Sequence, residues 1–330
     1  MSGEESKLHI LASGKGEFRA PDPDGFREYV HANKPKGLVN KVMTEHEAVE
    51  RFVSDGDYIS YDLTMLQRGP SSLIREIVRQ RKKDLWVGAK FTWIAALMFV
   101  AGGCASRIDV GYIGFSRALM KAIEEGKVTT TEWSNQAMTM RHLAGAIGVP
   151  FLPVRFLGGT GSFDYSGAKI VDDPYTGQAI CLLPAINPDV ALVHVHQCDV
   201  YGNARVFGAS TAPQETAMSA KKLIISTEEI IDSDVLRKDP GRTTIPYFLV
   251  DAVVEAPFGA YPGCVQGVYA DDPQHIMELI AASQRDNMDK YLEKYVYSVE
   301  SHEEFLEKRV GLQRLLELKR QETIKEGYYV

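Results

Sequence analysis

The residues best suited to chemistry lie in 54–72, SDGDYISYDLTMLQRGPSS. A strand pattern runs into a loop carrying Gln67, Arg68 and Gly69, and Pro70 then opens a helix with Ser71 and Ser72 in its first turn. A helix N-terminus leaves N–H groups unpaired, and a neighbouring guanidinium adds a forked cationic donor, so the segment suits a carboxylate or phosphate ligand. The competing reading is a capped helix beside one solvated arginine.

A second candidate is the loop Gly158, Gly159, Thr160 and Gly161 directly after a strand pattern. Glycine permits positive φ and lets backbone N–H groups approach a phosphate or an oxyanion. The loop lacks both the Lys-Ser/Thr ending of a P-loop and the GxGxxG spacing, so a plain tight turn is the alternative. His194 and His196 share one face of a strand and could share a metal, but no carboxylate or cysteine stands at a matching position. Histidines hydrogen-bonded to neighbouring strands are expected there, and no metal. Glu228 and Glu229 close another strand pattern, where they could be catalytic groups or charges at a helix N-terminus. No GxSxG elbow occurs, and no cysteine has a histidine placed to activate it, so neither a serine nor a cysteine nucleophile is indicated.

These residues need a scaffold, and the pattern supplies one. Strands are expected at 57–61, 85–89, 154–157, 190–196, 204–207, 222–227 and 252–256, and helices at 45–53, 71–81, 116–125, 133–145, 213–220 and 273–297. Strands alternating with helices favour a mainly parallel α/β sheet. Residues 303–325 read as a helix with Phe305, Leu312, Leu315, Leu316 and Ile324 on one stripe, a C-terminal helical extension docked on the body or on a partner. The expected division is 1–297 as the α/β domain, with 1–40 an N-terminal arm, and 298–330 as the extension.

Composition narrows the partners. The 330 residues are 45% hydrophobic and 25% charged, with 37 Lys+Arg against 44 Asp+Glu and a formal net charge of −7. Nucleic-acid binding normally needs a basic face, so that class is disfavoured, and an anionic ligand must be held by local groups. The four cysteines are scattered without a CxxC pair, which fits a reduced cytoplasmic protein. The longest apolar run, residues 93–105, falls short of the roughly 20 residues a membrane helix needs, so no membrane role is expected.

Several stretches together resemble the α subunit of family I coenzyme A transferases, closest to the glutaconate type. They are 148–155 (GVPFLPVR) with GGTG at 158–161, 188–202 (PDVALVHVHQCDVYG) with Asn203, 225–231 (ISTEEII), 257–263 (PFGAYPG) and Tyr269-Ala270-Asp271. The order is the family's over residues 40–300. The chain departs from it where the family has Gly-Gly-Phe: Asp62, Leu63 and Thr64 stand there, and Arg68 occupies the next glycine position.

The resemblance implies a three-layer α/β fold with an open, mainly parallel sheet. It implies the α subunit of a two-chain acyl-CoA:carboxylate CoA-transferase, with a coenzyme A thioester as substrate and no resident cofactor. Within that assembly, a heterotetramer or larger, a homologous β subunit would supply the nucleophilic glutamate. Gln67, Arg68, Ser71 and Gly158, Gly159, Thr160 and Gly161 would line the acyl and carboxylate pocket. One alternative is a ring-opening acyl-CoA hydrolase subunit of the same fold. Such relatives use an acidic residue in the stretch matching 110–116 (VGYIGFS), which here holds none, Asp109 lying just before it. A further alternative is a non-catalytic scaffold subunit or a sugar-phosphate isomerase-like binder.

Overall fold

The computed structural model describes residues 9–322 apart from Phe115 and Ala209. The first half runs β1 (Ile10–Ser13), α1 (Pro23–Asn33), α2 (Glu45–Phe52), β2 (Tyr58–Tyr61), α3 (Ser71–Arg79), β3 (Leu85–Ala89), α4 (Trp93–Ala101), β4 (Ala105–Val110), α5 (Arg117–Glu124), β5 (Thr129–Glu132), α6 (Asn135–Ile147) and β6 (Phe151–Val154). There follow α7 (Gly161–Asp164), β7 (Lys169–Asp172), β8 (Ala179–Pro184), β9 (Val190–Cys198), β10 (Ala204–Arg205), α8 (Pro213–Ser219), β11 (Lys222–Ile230), α9 (Ser233–Lys238), β12 (Ala252–Glu255), α10 (Pro273–Gln284), α11 (Met288–Leu292), α12 (His302–Phe305) and α13 (Leu312–Gln321). Local chemistry sets the boundaries: Thr44 and Glu47 form a reciprocal capping box on α2, and α6 starts on the Ser134 hydroxyl and stops at Gly148, whose φ is 74°.

The main sheet has the order β12-β11-β9-β2-β3-β4-β5, with every neighbour parallel and the short β10 antiparallel to β9. Period-two alternation divides β9 between two cores. Val190 and Leu192 join a cluster with Val49 of α2, Leu73 of α3 and Leu97 of α4, whereas Ala191, Val193 and Val195 join one with Ala217 of α8. Helices therefore cover both faces, as a buried parallel sheet requires. This is the expected three-layer α/β architecture with a helical C-terminal region.

Several boundaries differ from the sequence expectation. The strand expected at 154–157 lies at Phe151–Val154, and the chain turns away at Leu157 with φ 73°. It belongs to a second, antiparallel sheet of order β1-β7-β8-β6, which the sequence reading did not contain. The strand at 204–207 stops at Arg205. The single helix at 273–297 breaks at Asp286, which takes φ 60°, a left-handed conformation that Asp tolerates better than most residues. The helix at 303–325 is interrupted at Gly311, φ 84°, and α13 ends at Gln321. Ile324 of the proposed stripe lies outside the described residues. Phe305 and Leu318 are buried in the same cluster as β2 and α3.

Candidate functional site

Strands β2 to β5 are added in one direction and β9, β11 and β12 in the other, so the order reverses between β2 and β9. In open parallel sheets the carboxyl ends at such a reversal leave a crevice where ligands bind. The segment 62–71 leaves β2 there, and the Asp62 N–H donates to the Leu192 carbonyl across the reversal at 3.1 Å.

The loop after β12, residues 257–264, is laced onto this segment. The Arg68 N–H donates to the Cys264 carbonyl (2.9 Å), the Cys264 N–H to the Leu66 carbonyl (2.8 Å) and the Ser72 N–H to the Gly259 carbonyl (2.9 Å). The Ser71 hydroxyl donates to the Ala260 carbonyl at 3.2 Å. A Cβ on Gly263 would lie 2.1 Å from the Leu66 oxygen, so the two loops meet only because residue 263 is glycine.

Behind the loops, Glu228 acts as a hub. Its Oε1 lies 2.8 Å from Nε2 of His194 and accepts the Tyr269 hydroxyl at 2.9 Å, while Oε2 accepts the Phe258 N–H at 2.8 Å. His194 Nδ1 faces the Ser226 hydroxyl at 2.9 Å. His196 is held by the Gln266 carbonyl at Nε2 (2.9 Å) and by the Phe207 N–H at Nδ1 (3.2 Å). Burial, with the Arg68 charge nearby, pushes its pKa down to about 3. Each ring is thus engaged by protein at both nitrogens, and no group of three metal-capable side chains occurs among the described residues.

Arg68 is where structure and sequence part. It is 1% exposed, with φ 54°, and its Nη1 donates to Asp62 at 2.9 Å, Asp62 itself being 3% exposed. The alternative of a solvated arginine does not hold: Arg68 is half of a buried ion pair, and aspartate at the diverged glycine position supplies its counter-charge. Arg68 Nη2 and Gln67 Oε1 are buried without a hydrogen-bond partner among the described residues. Ser71 lines a narrow, mostly apolar cavity between α3, α4 and the C-terminal helices.

Gln67, Arg68 and Ser71 are therefore neighbours, whereas Gly158 to Gly161 sit between the small sheet and α7. There the Thr160 hydroxyl and N–H both return to the Leu157 carbonyl, at 2.6 and 3.1 Å, and Gly159 takes φ 80°. A Cβ on Gly158 would meet Ile170 of β7 at 3.2 Å. Tyr269 and the Phe258 N–H were missed by sequence reasoning. The one signal for them was the 257–263 motif with its trailing tyrosine.

A reversed parallel sheet with two interlocked loops at its carboxyl edge defines a ligand-binding α/β protein of the doubly wound kind. The coenzyme A transferase family model matches residues 42–256, and the chain belongs to that family of enzymes. It is 31% identical to the A subunit of glutaconate CoA-transferase from Acidaminococcus fermentans over 306 residues, 85% of this chain and 95% of the relative. It is 28% identical to the A subunit of 3-oxoadipate CoA-transferase from Pseudomonas knackmussii over 276 residues, covering 80% and 96%. The crystal structure of the Acidaminococcus fermentans glutaconate CoA-transferase superposes with a TM-score of 0.81 at 30% identity, covering 84% of this chain and 95% of that one.

Proposed function

We propose that this chain is the α subunit of a two-chain acyl-CoA:carboxylate CoA-transferase whose β subunit carries the nucleophilic glutamate. The observation that carries the reading is the state of the carboxylates at the sheet reversal. Glu228 is engaged at both oxygens by three groups, and Asp62 is buried against Arg68, so neither is presented to a thioester. That neither of these two is free supports a nucleophile supplied by a partner, and the glutaconate and 3-oxoadipate CoA-transferase relatives are themselves A subunits.

In this reading a partner glutamate attacks the thioester carbonyl, the CoA thiolate leaves, and an acyl-glutamyl anhydride forms. The thiolate attacks the glutamyl carbonyl, releasing the acyl carboxylate and leaving a glutamyl-CoA thioester. The incoming carboxylate then takes CoA by the reverse steps. This chain contributes the pocket: Gln67, Arg68 and Ser71 border the acyl and carboxylate groups, with the Asp62–Arg68 pair holding the loop in shape. The loop of Gly158, Gly159, Thr160 and Gly161 is the proposed source of backbone N–H groups for developing oxyanions, through its glycines, since the Thr160 N–H is taken by the Leu157 carbonyl. The division is read as 1–297 for the α/β body and 298–330 for a C-terminal extension, residues 1–8 and 323–330 lying outside the described residues, in a heteromeric cytoplasmic assembly. No described helix is long and apolar enough to cross a membrane.

The test is to co-purify the chain with the product of its neighbouring gene and follow CoA transfer from an acyl-CoA to a carboxylic acid. Acid-dependent formation of a new thioester supports the reading. Release of free CoA at the same rate without an acceptor would instead mark a hydrolase.

A further inference from the structure

The cavity below the 62–71 loop is walled mostly by carbon, from Leu63 of the loop, Ala95 and Met98 of α4, and Tyr291 and Phe305 of the C-terminal segment. Arg75 of α3 lines it as well, at 5% exposure. The cavity volume is about 40 Å³, above the roughly 10–15 Å³ that a single water needs, so a group of a few atoms fits.

Arg75 carries a charge that its neighbours do not balance. Its Nη1 donates to the Tyr261 carbonyl (2.9 Å), its Nη2 lies 3.1 Å from Nδ1 of His302, and its guanidinium stacks over the Phe305 ring at 4.1 Å. The Nε2 of His302 faces the Pro257 carbonyl at 2.8 Å, which places its proton there and leaves Nδ1 to accept from Arg75. Burial pushes the pKa of that histidine down to about 3, so the ring is neutral. A carbonyl, a neutral imidazole and an aromatic face thus surround the cation, and none of them carries a negative charge. A guanidinium has five N–H donors, and these contacts use two; Nε is buried without a partner among the described residues. Glu45 is the strongest attractive charge acting on Arg75, but it makes no ion pair with it, and burial raises the pKa of Glu45 itself to about 7.

Two helices bring their positive ends to the same space. Ser71 in the first turn of α3 and Ile94 and Ala95 in the first turn of α4 line the cavity, and no side chain caps either helix. A buried cation without a counter-charge is costly, and an anion beside it recovers that cost. Carboxylate is the anion whose two oxygens match the fork of a guanidinium. We propose that Arg75 recognises a substrate carboxylate in this cavity and is a specificity-determining residue of the site. The inference rests on the CoA-transferase reading above. The carbon walls take the methylenes next to that carboxylate and keep water away, which strengthens the pair. The carboxylate is either the far end of an acyl group or that of the free acid.

The test is calorimetric titration of the full chain, co-purified with its partner, with Arg75→Met set against the parent. Succinyl-CoA carries a carboxylate at the end of its acyl group, and butyryl-CoA has the same four-carbon chain without it. Butyrate, added to the complex with free CoA, supplies the carboxylate of a free acid. Losing a hydrogen-bonded charge partner costs about 10–100-fold in affinity. If the acyl terminus is the source, Arg75→Met should weaken succinyl-CoA by that factor and leave butyryl-CoA nearly unchanged; if the free acid is the source, butyrate should weaken by that factor. Free CoA should be unchanged in both cases. An arginine that only supports the fold would move succinyl-CoA and butyryl-CoA together. That result, no change with either carboxylate probe, or no binding of either by the parent would overturn the inference, while free CoA binding keeps the family reading intact. Should Arg75→Met fail to fold, Arg75→Lys, which keeps the charge without the fork, should lose part of the same selective affinity, and its outcomes decide in the same way. Failure of free CoA itself to bind the parent would bring down the transferase reading, and the inference with it.

Discussion

Arg68 Nη1 donates to Asp62 at 2.9 Å with both side chains almost completely out of solvent, directly where β2 enters the site loop. Arg68, which in sequence reads either as part of an anion site or as a solvated cation, is one half of a closed internal pair.

The first prediction concerns that pair. Arg68→Ala leaves Asp62 buried without its counter-charge, which costs about 3–5 kcal/mol. The double variant Asp62→Asn with Arg68→Met removes both charges and should recover most of that loss. Urea denaturation of the three proteins checks this; equal stability of Arg68→Ala and the parent would show that the pair is solvated.

Glu228→Gln tests the hub. An amide has one acceptor oxygen where the carboxylate has two, so it cannot serve His194, Tyr269 and the Phe258 N–H together. A loss of about 1–3 kcal/mol is expected, together with a fall in turnover as the 257–264 loop loosens. An unchanged melting temperature and unchanged turnover would remove Glu228 from the account.

Gly263→Ala tests the lacing of the loops. Its Cβ would sit 2.1 Å from the Leu66 oxygen, so the two loops must separate. Turnover should fall by at least about tenfold, because small displacements at a positioned site are costly. Ala substituted at Gly241, whose Cβ would meet only Asp239 at 3.9 Å, serves as the control and should leave turnover intact.

Acid should destabilise the fold through its buried histidines. His142 lies between Ser60 and Ser219, and burial pushes its pKa, like those of His196 and His302, down to about 3. The unfolded chain binds these protons near the ordinary histidine value of about 6.5, so stability is full above that pH and falls from there toward 3. Each histidine contributes up to about 1.4 kcal/mol per pH unit. Glu45 runs the other way: burial raises it to about 7, so its contribution is present below its ordinary value of 4.5 and is lost as pH rises toward 7. Glu45→Gln should therefore make stability climb more steeply with pH between about 4.5 and 7. Urea midpoints at pH 4.5, 5.5 and 7, set against the parent, measure that slope.

The parallel sheet was legible because its strands are short β-branched runs, as in VALVHVH at 190–196, whose length and β-branched content favour a strand over a buried helix. The small antiparallel sheet was hidden by its mixed strands: β6 contains Pro153, and β1 is largely exposed. The loop 62–71 was found through its residue types, since Pro70 and Arg68 are visible without a structure. The burial of Arg68 was not visible, because it depends on Asp62 folding back across six positions and on Cys264, nearly two hundred residues away, closing over the backbone. The break at Asp286 was missed for a similar reason, as one left-handed residue within a strongly helical stretch leaves little trace in periodicity.

The most direct test of the central claim is covalent. The chain and its partner are incubated together with an acyl-CoA, the mixture is treated with borohydride, and the peptides are mapped. The account predicts reduction of one glutamate in the partner and none in this chain. A modified carboxylate at Asp62 or Glu228, or turnover by this chain alone, would contradict it.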